Sequence, residues 1–147
     1  MCGQGVYVTI REVTARELLY ATHAAWNKRD IEALIALYVD DMTFWANVGG
    51  ADGGPLTIAD KVTFRQHLTA WKDFECLSVP QNFRLENGVG QANVEFYIRD
   101  KGGLQFAASY RQVATYRDDR ILRLEEYHDA KALAAFMAMM SGTEATS

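Results

Sequence analysis

Residues 26–44 read Trp26-Asn27-Lys28-Arg29-Asp30-Ile31-Glu32-Ala33-Leu34-Ile35-Ala36-Leu37-Tyr38-Val39-Asp40-Asp41-Met42-Thr43-Phe44. An aspartate at position 30 can accept a hydrogen bond from the free N–H groups of a first helical turn, so a helix is expected to start just after it. Ile31, Leu34, Ile35 and Tyr38 then recur at helical spacing and give that helix one apolar face. The Asp40-Asp41 doublet is expected to stop it before an apolar strand from Met42 to Trp45. Upstream, Thr14-Ala15-Arg16-Glu17 has the form of a capping box and predicts a helix running to about Arg29. Two helices therefore feed one strand.

Downstream, the Gly-rich segment Gly49 to Pro55 lacks the Lys-Ser/Thr ending of a phosphate loop and the spacing of a dinucleotide fingerprint, so it reads as a plain loop. Thr57 and Asp60 signal another cap, and Ile58, Val62, Leu68 and Trp71 are candidates for one face of a third helix ending near Lys72. From Phe74 the period changes to two. Phe83 and Leu85, then Ala92, Val94, Phe96 and Ile98, alternate with mostly polar neighbours. Asn87-Gly88, Lys101-Gly102-Gly103 and Asp118-Asp119 punctuate this region as turns, which predicts strands at 74–86, 91–99, 104–117 and 120–128. Asp129 opens a last helix with Leu133, Phe136, Met137 and Met140 on one face, and Ser141 to Ser147 reads as a frayed tail. Helices followed by long antiparallel strands mean an α+β domain, a curved antiparallel sheet with helices packed on its concave face and a conical hollow between them. Such a hollow is the default place for a ligand.

Composition narrows the partners. The 147 residues are 49% hydrophobic and 23% charged with two prolines, which fits one ordered domain, taken as 13–140 between a segment 1–12 and a tail 141–147. A net charge of −4 with no basic run beyond Lys28-Arg29 gives no footprint for nucleic acid. No stretch is long and apolar enough for a membrane span, and the first residues lack the basic and apolar regions of a signal peptide, so a cytoplasmic location is expected. Cys2 and Cys76 form no disulfide framework, and His23, His67 and His128 show no ligand spacing, so neither a metal nor a cofactor is expected.

The Asp30 turn with the aromatic-x-Asp-Asp of Tyr38 to Asp41, together with Arg120-Ile121-Leu122-Arg123-Leu124-Glu125-Glu126-Tyr127-His128-Asp129, resembles the nuclear transport factor 2-like superfamily, which includes SnoaL-like and ketosteroid isomerase-like domains. The resemblance covers about residues 13 to 140. It implies a homodimer, with the outer sheet face bearing Tyr97 and Arg111 as the expected contact. Aligned with ketosteroid isomerases, the place of their general base is held by Ala46, that of their tyrosine donor by Thr22 and that of their partner acid by Gln112, which argues against their standard mechanism. Trp45-Ala46-Asn47 and Tyr127-His128-Asp129 are similar to parts of limonene epoxide hydrolases, but the middle strand Val94 to Asp100 has no Arg-x-Asp in matching register.

SnoaL-type cyclases use a His and an Asp as acid/base groups, and the same types stand at His128 and Asp129, the catalytic candidates. Neighbours on a strand point oppositely, so both enter the hollow only through a bulge or bend. Asp129 also has the plain reading of a helix N-cap. Glu126 falls on the same strand face as Leu124 and His128, with pairing to Arg111 or Arg123 as its ordinary alternative. Trp45, Asn47, Tyr110, Gln112 and Glu126 are the candidate ligand-binding residues, with Tyr116 a further wall, and His23 reads as structural. The expected function is acid/base chemistry of isomerase, cyclase or lyase type on a compact or polycyclic hydrophobic small molecule. The alternative is a non-catalytic binding or association module of the same fold.

Overall fold

The computed structural model describes residues 9–99, 102–103 and 105–140. Its elements are α1 (Glu12–Asn27), α2 (Ile31–Ala36), β1 (Tyr38–Ala46), a 3-10 turn (Ala51–Gly53), β2 (Leu56–Ile58), α3 (Lys61–Thr69), β3 (Glu75–Glu86), β4 (Val89–Arg99), β5 (Gln105–Arg117), β6 (Arg120–His128) and α4 (Ala130–Met140). The sheet runs β2-β1-β6-β5-β4-β3 and does not close. It is antiparallel except where β1 and β6 run parallel, so the fully antiparallel sheet expected from sequence is corrected to a mixed one. A parallel neighbour cannot be reached through a tight hairpin. Here α3 and the three long strands β3, β4 and β5 separate the two partners in sequence.

Local chemistry explains most boundaries. The Asp30 carboxylate accepts from Ala33 N–H at 3.0 Å and that of Asp60 from Thr63 N–H at 2.7 Å, so both predicted caps start helices. The predicted capping box at Thr14 does not: α1 begins at Glu12, its N-cap Arg11 makes no side-chain capping bond, and Thr14 lies inside the helix. Tyr38 and the Asp40-Asp41 doublet, assigned to the end of the second helix, belong to β1. There an irregular register against β6 turns both carboxylates outward, Asp41 to Arg117 and Asp40 to Lys61 at 3.2 Å. The third helix also differs from expectation. Ile58 lies in β2 and Val62 is 61% exposed, because the buried face of α3 is formed by Phe64 and Leu68.

Asn87-Gly88 and Asp118-Asp119 have positive φ at both positions, the two-residue turn whose twist matches its flanking strands. Between Gln81 and Arg84 the register of β3 shifts, and Asn82 has a φ of 56°. α1 lies against β3 and touches α2 and β6, and Tyr116 Oη donates to Ala15 O at 3.0 Å, tying this helix to β5. The core between helices and sheet holds Leu19, Leu34, Tyr38, Met42, Ile121 and Leu124. No helix among the described residues is long and apolar enough to cross a membrane. Cys2, Lys101 and 141–147 fall outside the described residues, as do the side chains of Phe136, Met137 and Met140.

Ile121 is fully buried at the start of β6, and its N–H donates to Leu37 O at 2.9 Å. Ile121→Ala is expected to lose about 2–5 kcal/mol of stability, read as a lower urea midpoint with an unchanged slope.

Candidate functional site

A cavity of about 240 Å³ lies between the helices and the concave face of the sheet. The pairing register shows why it is open there. Ala46, Glu126, Gln112 and Ala92 form one row across β1, β6, β5 and β4, so short side chains flank the two polar ones. In the next row His128 stands opposite Tyr110, and Tyr110 opposite Val94. Helices close the hollow with Trp26 from α1, Leu34 from α2, Phe64 and Leu68 from α3, and Leu133 from α4. The lining is mostly apolar; Tyr110 and Gln112 of β5 and Glu126 and His128 of β6 supply polar groups on one side, and Thr22, His23, Tyr38, His67 and Ser78 supply others from α1, β1, α3 and β3.

Alternation along β6 places Leu124, Glu126 and His128 inward, and Arg123, Glu125 and Tyr127 outward. His128 Nε2 lies 2.8 Å from Glu126 Oε1, and the two side chains are 11% and 19% exposed. The pair is therefore largely screened from bulk water while still facing the cavity. Arg123, one of the two arginines weighed as partners for Glu126, instead binds Glu125 at 2.7 Å. Asn47 holds the end of this strand from beyond β1: its Nδ2 donates to His128 O at 2.9 Å and its Oδ1 accepts from His128 N–H at 2.8 Å. Asn47 thus orients the pair and does not line the cavity.

Two tyrosines face the same space. Neither the Tyr38 nor the Tyr110 hydroxyl has a hydrogen-bond partner among the described residues, and no buried polar side-chain atom there is left sealed and unpaired, so both hydroxyls border the open cavity. Burial raises the pKa of each above the ordinary tyrosine value, and the nearby Glu126 charge raises it further. Both remain proton-bearing donors at neutral pH. The Tyr110 ring also lies 4.5 Å from the His128 ring at 34°. His23 is 5% exposed; its Nδ1 meets Ser78 Oγ at 2.6 Å and its Nε2 meets Gln112 Oε1 at 2.7 Å. Burial holds His23 and His67 below the usual histidine value, opposed for His23 by the Gln112 hydrogen bond and for both by the Glu126 charge.

Of the residues expected from sequence, His128, Glu126, Tyr110 and Gln112 meet in the cavity. Asp129 does not: it follows the strand, is exposed, and its Oδ1 accepts from Ala132 N–H at 3.0 Å as the cap of α4. Strand alternation separates it from His128, and no bulge at this point brings the two together. Trp45 packs on Tyr127 at 5.2 Å on the opposite face, where Arg111 lies 4.5 Å over the Tyr127 ring. Tyr116 reaches α1 instead of the cavity. Tyr38 and His67 were absent from the expected site. Tyr38 was hidden by its assignment to a helix, and His67, three residues past Phe64 on α3, carries no signal in sequence beyond its type. No group of acidic, histidine or cysteine side chains suited to a metal occurs among the described residues.

No protein-family model matches the chain, and no curated protein matches it by sequence. Solved structures do match. A Bacillus subtilis protein provisionally described as an isomerase superposes with a TM-score of 0.75 at 19% identity, covering 92% of this chain and 98% of that one. A Catenulispora acidiphila protein with a ketosteroid isomerase-like fold, in complex with trimethylamine, gives 0.69 at 17% identity over 81% and 90%. A Mycobacterium tuberculosis protein in complex with estradiol-17beta-hemisuccinate gives 0.72 at 11% identity over 81% and 96%. The fold is that of the nuclear transport factor 2-like proteins.

Two measurements check the site's construction. Asn caps a helix as well as Asp, so Asp129→Asn is expected to leave stability within a few tenths of a kcal/mol and ligand binding unchanged, whereas Asp129→Ala loses about 1 kcal/mol. A histidine pKa depressed on folding means that the unfolded chain takes up the proton first. Stability contributed by neutral His23 and His67 is thus complete above about 6.5 and falls as pH drops below it. The lowered carboxylates Glu32, Asp41, Asp60 and Glu125 add their own loss only toward and below about 4.5. Urea midpoints measured between pH 7.5 and pH 5 should show the first decline, and His23→Phe should reduce it.

Proposed function

We propose that this protein is a small enzyme of isomerase or cyclase type that moves a proton on a compact hydrophobic molecule held in the cavity. The observation that carries this reading is the Glu126–His128 pair, hydrogen-bonded at 2.8 Å inside an otherwise mostly apolar hollow. A carboxylate in such a place has few competing waters. Its Oε2 has no partner among the described residues and is available to take a proton from a carbon acid, while the imidazole at Oε1 holds the group in position. Removing a proton beside a carbonyl leaves charge on the carbonyl oxygen, and the Tyr38 and Tyr110 hydroxyls are donors for it in the same cavity. Return of the proton from Glu126 to another carbon completes an isomerisation and regenerates the carboxylate.

This chemistry assigns the acid/base role to Glu126, with His128 its orienting partner. The Ala46 position is not required for it. At about 240 Å³ the cavity is smaller than the usual organic-ligand pocket, which suits a compact molecule of about two fused rings. The steroid derivative bound by the Mycobacterium tuberculosis protein and the provisional isomerase assignment of the Bacillus subtilis protein lend support to the class. A receptor without chemistry is the second reading, favoured by Asp129, whose carboxylate is spent on the helix cap.

The two readings separate in D₂O with 2-tetralone, a two-ring ketone. The enzyme reading expects deuterium to enter the carbon beside the carbonyl faster than in buffer. Glu126→Gln should slow this by about 10²–10⁴-fold while 2-tetralone binding changes only a few-fold. Binding without accelerated exchange in the wild-type protein would leave the receptor reading.

A further inference from the structure

Four residues outside the Glu126–His128 pair form a chain of hydrogen bonds that ends at the cavity. Asn27 bonds the backbone of Ser78 twice: Nδ2 donates to Ser78 O at 2.9 Å, and Ser78 N–H donates to Oδ1 at 2.8 Å. A peptide N–H can only donate and a peptide carbonyl only accept, so the Asn27 amide has a single orientation. Its Oδ1 lies 3.3 Å from Ser78 Oγ, whereas His23 Nδ1 lies 2.6 Å from that hydroxyl.

A neutral imidazole has one donor and one acceptor nitrogen. Gln112 Oε1, at 2.7 Å, is an acceptor, so His23 Nε2 carries the proton and bare Nδ1 accepts from the Ser78 hydroxyl. The burial that keeps His23 neutral removes the doubly protonated alternative. The opposite tautomer would send the Ser78 proton over the longer 3.3 Å path to Asn27 and turn the Gln112 amide around. With Oε1 occupied, the Gln112 NH₂ group has no partner among the described residues. Gln112 is 2% exposed yet borders the cavity, and no buried polar side-chain atom there is sealed and unpaired, so this NH₂ group faces the open space.

We infer that His23, set in its Nε2–H tautomer by Ser78 and Asn27, fixes the Gln112 amide with its NH₂ group toward the cavity, and that the site thereby selects ligands presenting a hydrogen-bond acceptor at this point. Gln112 is the contact residue, and His23 and Ser78 are positioning residues. An amide N–H stabilises a ligand oxygen or nitrogen without transferring its proton, so this role differs from that of an acid. A ligand presenting there an N–H donor with no free lone pair meets another donor and leaves both unpaired in a buried place, whereas a hydroxyl can still accept; this is how a hydrogen-bonding site rejects a close analogue. The inference rests on the cavity being a ligand site but not on catalysis.

The test uses quinoline, whose ring nitrogen only accepts, and indole, whose N–H only donates, as two-ring probes of similar size. Because indole shares the tryptophan chromophore, binding of each probe is read by isothermal titration calorimetry. In parallel, ring ¹⁵N spectra of the ¹⁵N-histidine-labelled protein report which nitrogen of His23 carries its proton, with His23→Phe supplying the assignment. The expected results are an Nε2–H tautomer, quinoline bound about tenfold more tightly than indole, and a quinoline-to-indole ratio that falls toward one in His23→Phe because the released amide can rotate. An Nδ1–H tautomer in the wild-type protein, indole binding as tightly as quinoline, or a ratio unmoved in His23→Phe would each overturn the inference. If His23→Phe does not fold, the wild-type tautomer and ratio still decide. Binding of neither compound, with the tautomer as stated, removes the cavity's role as a ligand site and the selection with it.

Discussion

The site depends on β6 staying regular through its last residue. A strand puts every second side chain on the same face, so Glu126 and His128 share the cavity only if the pairing persists to position 128. β1 ends at Ala46, opposite Glu126, and beyond it the backbone bends into the Gly-rich loop. Asn47 bridges the gap by offering an amide where a strand would offer a peptide group, satisfying both His128 N–H and His128 C=O. Antiparallel pairing with β5 holds the other side, with Tyr110 opposite His128 and Gln112 opposite Glu126. The acidic, imidazole, phenolic and amide groups of the cavity are thus placed by backbone hydrogen bonding before any of them touches another.

Asn27 repeats the device on α1. Its amide binds the N–H and C=O of Ser78, as Asn47 binds those of His128, and in each case the gripped residue sends its own side chain into a hydrogen bond that borders the cavity. In one case that bond is the His128–Glu126 contact, and in the other it is the Ser78–His23 contact. The helix layer and the sheet are joined by polar groups where the cavity leaves little apolar surface to join them. Buried networks of this kind are stabilising only when each member is satisfied, and among the described residues no side-chain polar atom sealed away from the cavity is left unpaired.

Sequence made the architecture legible because its signals are local. The caps at Asp30 and Asp60, the period-two runs of β4 and β6 and the paired turn residues each act within a few positions, and each has its counterpart in the structure. The inward face of β6 followed from alternation alone, which put Glu126 with His128. What stayed hidden depends on partners distant in the chain. The parallel β1–β6 pairing, which recruits Tyr38 into a strand, joins segments about eighty residues apart, and no local period reports it. Asp129 was ambiguous for a physical reason, since a carboxylate suits a helix cap and a proton relay equally well, and only its bond to Ala132 separates the two. His23 read as structural, and it is buried, but its two partners on β3 and β5 lie 55 and 89 residues away.

One edge of the open sheet is β3, twelve residues long and paired only on the β4 side. A long flat edge of this kind is a template for adding a strand from another molecule, the usual start of ordered aggregation. β3 is not flat. Pro80 removes a donor from it, and just beyond lie the left-handed Asn82 and the register shift before Arg84, which break the row of backbone groups at mid-strand. The opposite edge, β2, is three residues long. The fold can therefore keep its sheet unclosed, which the cavity requires, at high concentration in a crowded solution without its free edges recruiting one another into fibres.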